Sequence, residues 1–269
     1  MSRYNSVLSI AGSDSGGCAG IQADIKSISA NGAYAATVIT ATTAQNTVGV
    51  TDIHGLPIAH IKAQLDAVLS DIEFGAVKIG MLHSKEVIDV VEERLAFYGI
   101  KKIILDPVMI ATSGDKLIND GAINALKSFF PKTYLITPNI PEAELIIGHE
   151  ITLENMKESA KEIAEKFAVS VLLKGGHLES KELMTDVLYV LEDTKLVVIN
   201  NKSIDTKNTH GTGCSLSSSI ATFVALGFEL EEAVRKSCAY LNAVIEAGKD
   251  KVLGKGNGPI NHFMLTSKN

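Results

Sequence analysis

Thr-Leu-Glu-Asn-Met-Lys-Glu-Ser-Ala-Lys-Glu-Ile-Ala-Glu-Lys-Phe-Ala-Val-Ser-Val-Leu-Leu-Lys, residues 152–174, carries two periodicities in succession. Leu153, Met156, Ala160, Ile163, Ala164 and Phe167 recur at helical spacing with charges on the other face, which predicts a helix over 152–168. The run 170–174 is short, apolar and closed by Gly175-Gly176, as expected of a strand buried on both faces. Helix and strand in immediate succession form the repeating unit of a layered α/β chain.

The same alternation extends in both directions. Strands are predicted at 6–11, 36–42, 75–80, 102–106 and 134–138, with helices near 20–31, 58–72, 84–98 and 119–130 between them. Two more helices are expected at about 214–226 and 230–248. Such a chain folds as a mostly parallel sheet with helices on both sides. Two apolar runs, 186–191 and 195–200, are separated only by Glu192-Asp193-Thr194 and read as a β-hairpin at a sheet edge. No linker, repeat or low-complexity tract interrupts the pattern, so a single domain over 1–269 is expected.

Bulk properties narrow the partners. Hydrophobic residues make up 46% and charged residues 21%, enough for a large core. Net charge is −6 and no basic block occurs, which disfavours nucleic acid as a partner. No run approaches the roughly 18 apolar residues of a membrane helix, and the first residues hold too short an apolar run for a signal peptide. Cys18, Cys214 and Cys238 are widely spaced and odd in number, against a disulfide framework or a zinc knuckle. The expectation is a protein of the cytoplasm.

Ligands of an open parallel sheet bind beyond the carboxyl ends of its strands. That rule selects Gly12–Gly17, Asp106-Pro107, Pro138-Asn139, Lys174-Gly175-Gly176 and the segment Asn208-Thr209-His210-Gly211-Thr212-Gly213-Cys214. The last is a glycine turn running into a helix, where N–H groups and partial positive charge favour an anion. An ordinary helix-start turn has the same pattern. The P-loop, the dinucleotide fingerprint and the protein-kinase signatures are all absent. A thiol at a helix N-terminus should have a lowered pKa. Cys214 therefore reads as a nucleophile, a base or a small packed residue. A hydrolase elbow would need glycines where Thr212 and Leu216 stand, and a tyrosine-phosphatase loop would need arginine where Ile220 stands.

Four segments taken together resemble the hydroxymethylpyrimidine/phosphomethylpyrimidine kinases of the ribokinase superfamily. They are Ala11–Asp24 (Ala-Gly-Ser-Asp-Ser-Gly-Gly-Cys-Ala-Gly-Ile-Gln-Ala-Asp), Asp106-Pro107-Val108-Met109, Thr137-Pro138-Asn139-Ile140-Pro141-Glu142-Ala143 and the segment ending in Cys214. The resemblance spans essentially the whole chain. It implies a three-layer α/β/α sandwich and transfer of the γ-phosphoryl of ATP, with Mg2+, to 4-amino-5-hydroxymethyl-2-methylpyrimidine. It further implies a second transfer to the monophosphate, in thiamine biosynthesis, and a homodimer.

The resemblance also implies roles. Cys214 would be the base that takes the hydroxyl proton, beside an anion hole formed by the amides of Gly211, Thr212, Gly213 and Cys214. Asp106, Asn139, Glu142 and Lys174 would serve the nucleotide, with Glu142 toward the metal. Gly12, Ala19, Thr43, Met81 and Val108 would line the substrate pocket. Asp24 would accept a hydrogen bond from the hydroxymethyl group, and Gln45 would read the aminopyrimidine edge with one donor and one acceptor. Two positions depart from the family pattern: Cys18 replaces a glycine, and Asn257 replaces a histidine in Gly256-Asn257-Gly258-Pro259. A pyridoxine/pyridoxal kinase of the same cysteine-bearing branch is the alternative enzyme. A binding protein without turnover and a cysteine-nucleophile hydrolase are the alternatives of other classes.

Overall fold

The computed structural model describes residues 3–109, 120–176 and 183–263. In chain order its elements are β1 (Ser6–Asp14), α1 (Gly20–Ala30), β2 (Tyr34–Gln45), β3 (Val50–Gly55), α2 (Ile58–Leu69), β4 (Ala76–Ile79), α3 (Lys85–Phe97), β5 (Ile103–Leu105) and α4 (Asp120–Phe129). There follow β6 (Leu135–Ile136), α5 (Ile140–Ile147), α6 (Met156–Phe167), β7 (Ser170–Leu173), β8 (Leu183–Val190), β9 (Lys195–Lys202), α7 (Thr212–Ala225) and α8 (Leu230–Gly248). The strands form one sheet in the order β3-β2-β1-β4-β5-β6-β7-β8-β9. From β2 to β7 every pairing is parallel, while β3, β8 and β9 are antiparallel additions at the two edges.

Strand alternation sorts the core into two layers. Leu8, Ile10, Val77, Ile79, Ile103 and Leu105 face α2 to α6, whereas Val7, Ala76 and Ile104 face α1, α7 and α8. The sheet is therefore covered on both sides, and the three-layer α/β/α arrangement expected of the sequence is present. A charged residue breaks the apolar rule: Lys78 in β4 is fully buried.

Several boundaries differ from the sequence reading. Helix α6 starts at Met156, because Thr152 and Asn155 close a turn in which each backbone N–H donates to the other's side chain. Leu153 therefore lies outside the helix and is exposed. Strand β3 carries no apolar signature because nearly all of it is exposed; it joins the sheet through an antiparallel ribbon with the end of β2. Helix α5 was hidden by Pro141, which sits in the first turn, where a missing N–H is harmless. Helix α7 begins at Thr212, two residues earlier than expected, and residue 119 of the predicted fourth helix lies outside the described residues. The β8–β9 hairpin is at a sheet edge, as read from sequence. Among the described residues no helix is long and apolar enough to cross a membrane.

Candidate active site

A cavity of about 720 Å3 runs along the carboxyl ends of the parallel strands. Gly211 caps α7 at φ 88°, and a Cβ there would lie 1.9 Å from the Cys18 carbonyl oxygen, so only glycine fits. Thr212, Gly213 and Cys214 form the first turn of α7 and line the cavity. A helix's first N–H groups have no partner within the helix, and the dipole adds positive potential there.

Beside this turn stands a charged cluster drawn from three strand ends. Lys174 Nζ donates to Asp106 Oδ1 at 2.8 Å, and Thr137 Oγ1 donates to the same oxygen at 3.0 Å. Gly213 leaves room for them: a Cβ there would come 3.4 Å from Asp106 Oδ2 and 3.5 Å from Lys174 Nζ. Burial favours the neutral amine of Lys174, but Asp106 and Glu142 outweigh it and raise the ammonium above its ordinary range.

Asn139 and Glu142 form a capping box on α5. Asn139 Oδ1 accepts from the Glu142 N–H and Glu142 Oε2 accepts from the Asn139 N–H, each at 2.9 Å. Both residues also line the cavity. Burial raises the Glu142 carboxyl to about 7, with Lys174 pulling the other way and Asp106 reinforcing the rise. Among the described residues no three His, Cys, Asp or Glu side chains are grouped to hold a metal ion alone.

Gly12, Ala19, Thr43, Gln45, Met81 and Val108, six of the seven substrate residues named from the sequence, line the same cavity. A Cβ on Gly12 would lie 2.8 Å from Met81 Cε, the movable end of that side chain. The Gln45 amide has two polar neighbours. Its oxygen lies 3.0 Å from Thr43 Oγ1, which also reaches the Ser13 carbonyl oxygen at 3.1 Å, and its nitrogen lies 3.1 Å from His210 Nε2. Burial lowers the His210 imidazolium below its ordinary range, with Asp14 opposing, so a neutral ring can accept from the amide.

The structure removes Asp24 from the substrate wall. Asp24 is fully buried, does not line the cavity, and is held by Lys78 Nζ at 2.8 Å from both oxygens, by Ser9 Oγ and by Ser218 Oγ. Its lone pairs are turned inward to a buried ammonium, which is why it is not a surface residue. The expected lowering of the Cys214 thiol is also reversed. Burial pushes it up to about 11; Lys78 lowers it, Asp24 and Asp106 raise it, and the Gly20 backbone N–H lowers it. Desolvation outweighs the helix end.

Cys18 causes no strain: it is buried, lies outside the positive-φ residues, and gives its N–H to Asp14 Oδ2 at 2.9 Å. Asp14 also accepts from the N–H groups of Gly16 and Ala19, which shapes the loop before α1. Asn257 lines the cavity, and Gly258 accepts from the His210 N–H at 3.1 Å, so the turn survives without a histidine. Sequence reasoning missed Lys78, although a lysine inside Ala76-Val77-Lys78-Ile79 is itself the signal. It also missed the capping box, legible as Asn139-x-x-Glu142.

A model of the family described as phosphomethylpyrimidine kinase matches residues 14–261. The chain is 46% identical over 259 residues to the hydroxymethylpyrimidine/phosphomethylpyrimidine kinase of Rhizobium meliloti, covering 95% of this chain and 96% of that one. It is 46% identical over 261 residues to the thiamine biosynthesis bifunctional protein ThiED of Geobacter sulfurreducens, covering 96% of this chain but spanning only 52% of that longer protein. Its fold is similar to that of an ADP complex of Bacillus subtilis pyridoxal kinase, with TM-score 0.89, 30% identity and coverage of 99% and 100%. A parallel sheet flanked on both faces, a glycine-capped helix aimed at a Lys174–Asp106–Glu142 cluster, and a likeness running through almost the whole chain agree: this protein is a member of the phosphomethylpyrimidine kinase family.

Proposed function

We propose that the protein transfers the γ-phosphoryl of ATP to the hydroxyl of 4-amino-5-hydroxymethyl-2-methylpyrimidine, and then to the resulting monophosphate, in thiamine biosynthesis. The observation that carries this reading is one cavity lined by two chemically different sets of residues. The α7 N-terminus and Lys174, positioned by Asp106, suit phosphates. Gln45 offers an amide to a heterocycle edge, and Cys214 lines the same cavity.

Phosphoryl transfer needs positioning and charge neutralisation more than covalent chemistry. The amides of residues 211–214 would stabilise charge on the transferring group, and Lys174 would fix the nucleotide phosphates. The substrate hydroxyl would lose its proton to Cys214 as its oxygen bonds to phosphorus and the bond to ADP breaks. Magnesium prefers oxygen ligands, keeps several waters and binds through one or two carboxylates plus phosphates. Glu142, a single carboxyl with affinity for a proton near neutrality, fits that pattern. Bound there, Mg2+ would supply further neutralisation of phosphate charge. The reading also takes the chain as one kinase domain acting as a homodimer in the cytoplasm, which size-exclusion chromatography with light scattering would test.

The fold likeness to pyridoxal kinase supports a second reading, in which pyridoxal is the preferred alcohol. Turnover of Mg-ATP with the aminopyrimidine alcohol, its monophosphate and pyridoxal decides between them. We expect both aminopyrimidines to be phosphorylated and pyridoxal to be much slower; faster turnover of pyridoxal overturns the assignment. Cys214→Ala should lower kcat by roughly 10²–10⁴, the usual worth of a general base, with nucleotide binding retained. A covalent adduct on Cys214 would instead identify a nucleophile.

A further inference from the structure

Strand alternation turns Lys78 toward α1 and α7, the face on which its neighbour Ala76 is packed. An ammonium taken fully out of water there requires a partner. Asp24 on α1 supplies it, with both oxygens 2.8 Å from Nζ. Ser9, beside Lys78 in the β1–β4 register, donates to Asp24 at 2.5 Å, and Ser218 on α7 donates at 2.6 Å. Four elements thus converge on one buried ion pair.

Cys214 stands one helical turn before Ser218, and positions four apart share a helix face. Cys214 therefore lies on the face of α7 that Ser218 turns to the Lys78–Asp24 pair. Lys78 and Cys214 line the same cavity, and Gly80 makes room for the ammonium: a Cβ there would lie 2.9 Å from Nζ. Gly20, whose N–H also favours the thiolate, has φ 57°, and a Cβ on it would meet the Gly12 carbonyl oxygen at 2.3 Å.

We propose that Lys78, clamped by Asp24, is a positioning residue that provides the counter-charge for the Cys214 thiolate, with the Gly20 amide as the second support. This rests on Cys214 acting as the base. In the step concerned, the thiolate takes the hydroxyl proton, the alkoxide oxygen bonds to the γ-phosphorus, and ADP leaves with the bond pair. Burial alone opposes that thiolate, and Asp24 and Asp106 oppose it further. Lys78 is the strongest group in its favour, with Lys174 also in electrostatic contact with the sulfur.

The test is the rate at which iodoacetamide, a neutral probe, alkylates Cys214 in the full chain, read by peptide mass spectrometry between pH 7 and 9.5. Buried Cys18 and Cys238 report unfolding in the same samples. Below the thiol midpoint the rate follows the thiolate fraction, so a tenfold loss of thiolate is a tenfold loss of rate. Lys78→Met should slow alkylation about tenfold or more, and Asp24→Asn should speed it several-fold. In Lys78→Met kcat should fall in parallel, its rise with pH displaced upward, with KM for the alcohol within threefold. If Lys78→Met does not fold, Lys78→Met/Asp24→Leu replaces the pair with apolar groups and should still slow alkylation several-fold. A merely structural pair would change both single variants in the same direction, or leave alkylation unchanged; either result overturns the proposal. A wild type without activity on any of the three alcohols would sink the proposed function, while the alkylation rates still decide whether Lys78 governs the thiol.

Discussion

Lys174 Nζ and Asp106 Oδ1 meet at 2.8 Å from the ends of two strands, β7 and β5, that do not touch each other. Strand β6 lies between them, and Thr137 beyond its end donates to the same Asp106 oxygen. The pair is mostly buried, with Lys174 exposed by 16% and Asp106 by 3%. Breaking such a pair leaves an uncompensated charge and costs on the order of 3 kcal/mol. Lys174→Met should therefore lower stability by about that amount in urea unfolding and raise KM for ATP at least tenfold. A KM for ATP within twofold of wild type would remove Lys174 from the nucleotide end.

Glu142 makes stability depend on pH. Its carboxyl is raised in the folded chain to about 7, so the folded state holds a proton that the unfolded state has released. The associated stability is present in full below the unfolded carboxylate range and is lost as pH rises through about 7. Glu142→Gln retains an acceptor for the Asn139 N–H and cannot ionise. Relative to wild type it should gain on the order of 2–3 kcal/mol at pH 8 compared with pH 4.5. Thermal unfolding across that range checks the sign; a gain at low pH alone would refute it.

The two glycines of the turn should respond differently. Gly211→Ala meets the Cys18 carbonyl at 1.9 Å and adopts φ 88°, so it should lower Tm substantially and disorder the start of α7. Gly213→Ala has its nearest neighbours at 3.4 and 3.5 Å, so the fold should survive while KM for ATP rises several-fold. Equal Tm losses in the two variants would contradict this difference.

Gln45 lies on the cavity wall with Thr43 and His210 as polar neighbours. Gln45→Leu should reduce kcat/KM for the aminopyrimidine alcohol by about 10- to 100-fold, the worth of one or two polar contacts left unmade. KM for ATP should hold within twofold. A uniform loss toward both substrates would point to collapse of the pocket instead.

Much of the fold is legible in the residue pattern alone. The helical stripe of 156–167, the apolar run of β7, the β8–β9 hairpin and the placement of ligands beyond strand ends follow from side-chain periodicity and turn chemistry, which are local properties. So does the glycine turn before α7. Strand β3 is not legible, because an exposed ribbon has no apolar alternation to read. Neither is the edge of α6, where side-chain bonds between Thr152 and Asn155 stop a helix that spacing alone would continue.

The sequence by itself determined the layered α/β class, the order of its elements apart from β3 and α5, the family and the polar strand-end residues of the cavity, since each is written in residue patterns that need no long-range contact. Only the tertiary structure decided the electrostatics. A carboxylate at position 24 reads as a surface or substrate group until Lys78, 54 residues away, is seen closing on it. A thiol at a helix start reads as acidified until its burial is known, and burial then pushes Cys214 the other way. Desolvation and through-space charge depend on what surrounds a group from every direction, and that neighbourhood is assembled from four elements far apart in the chain.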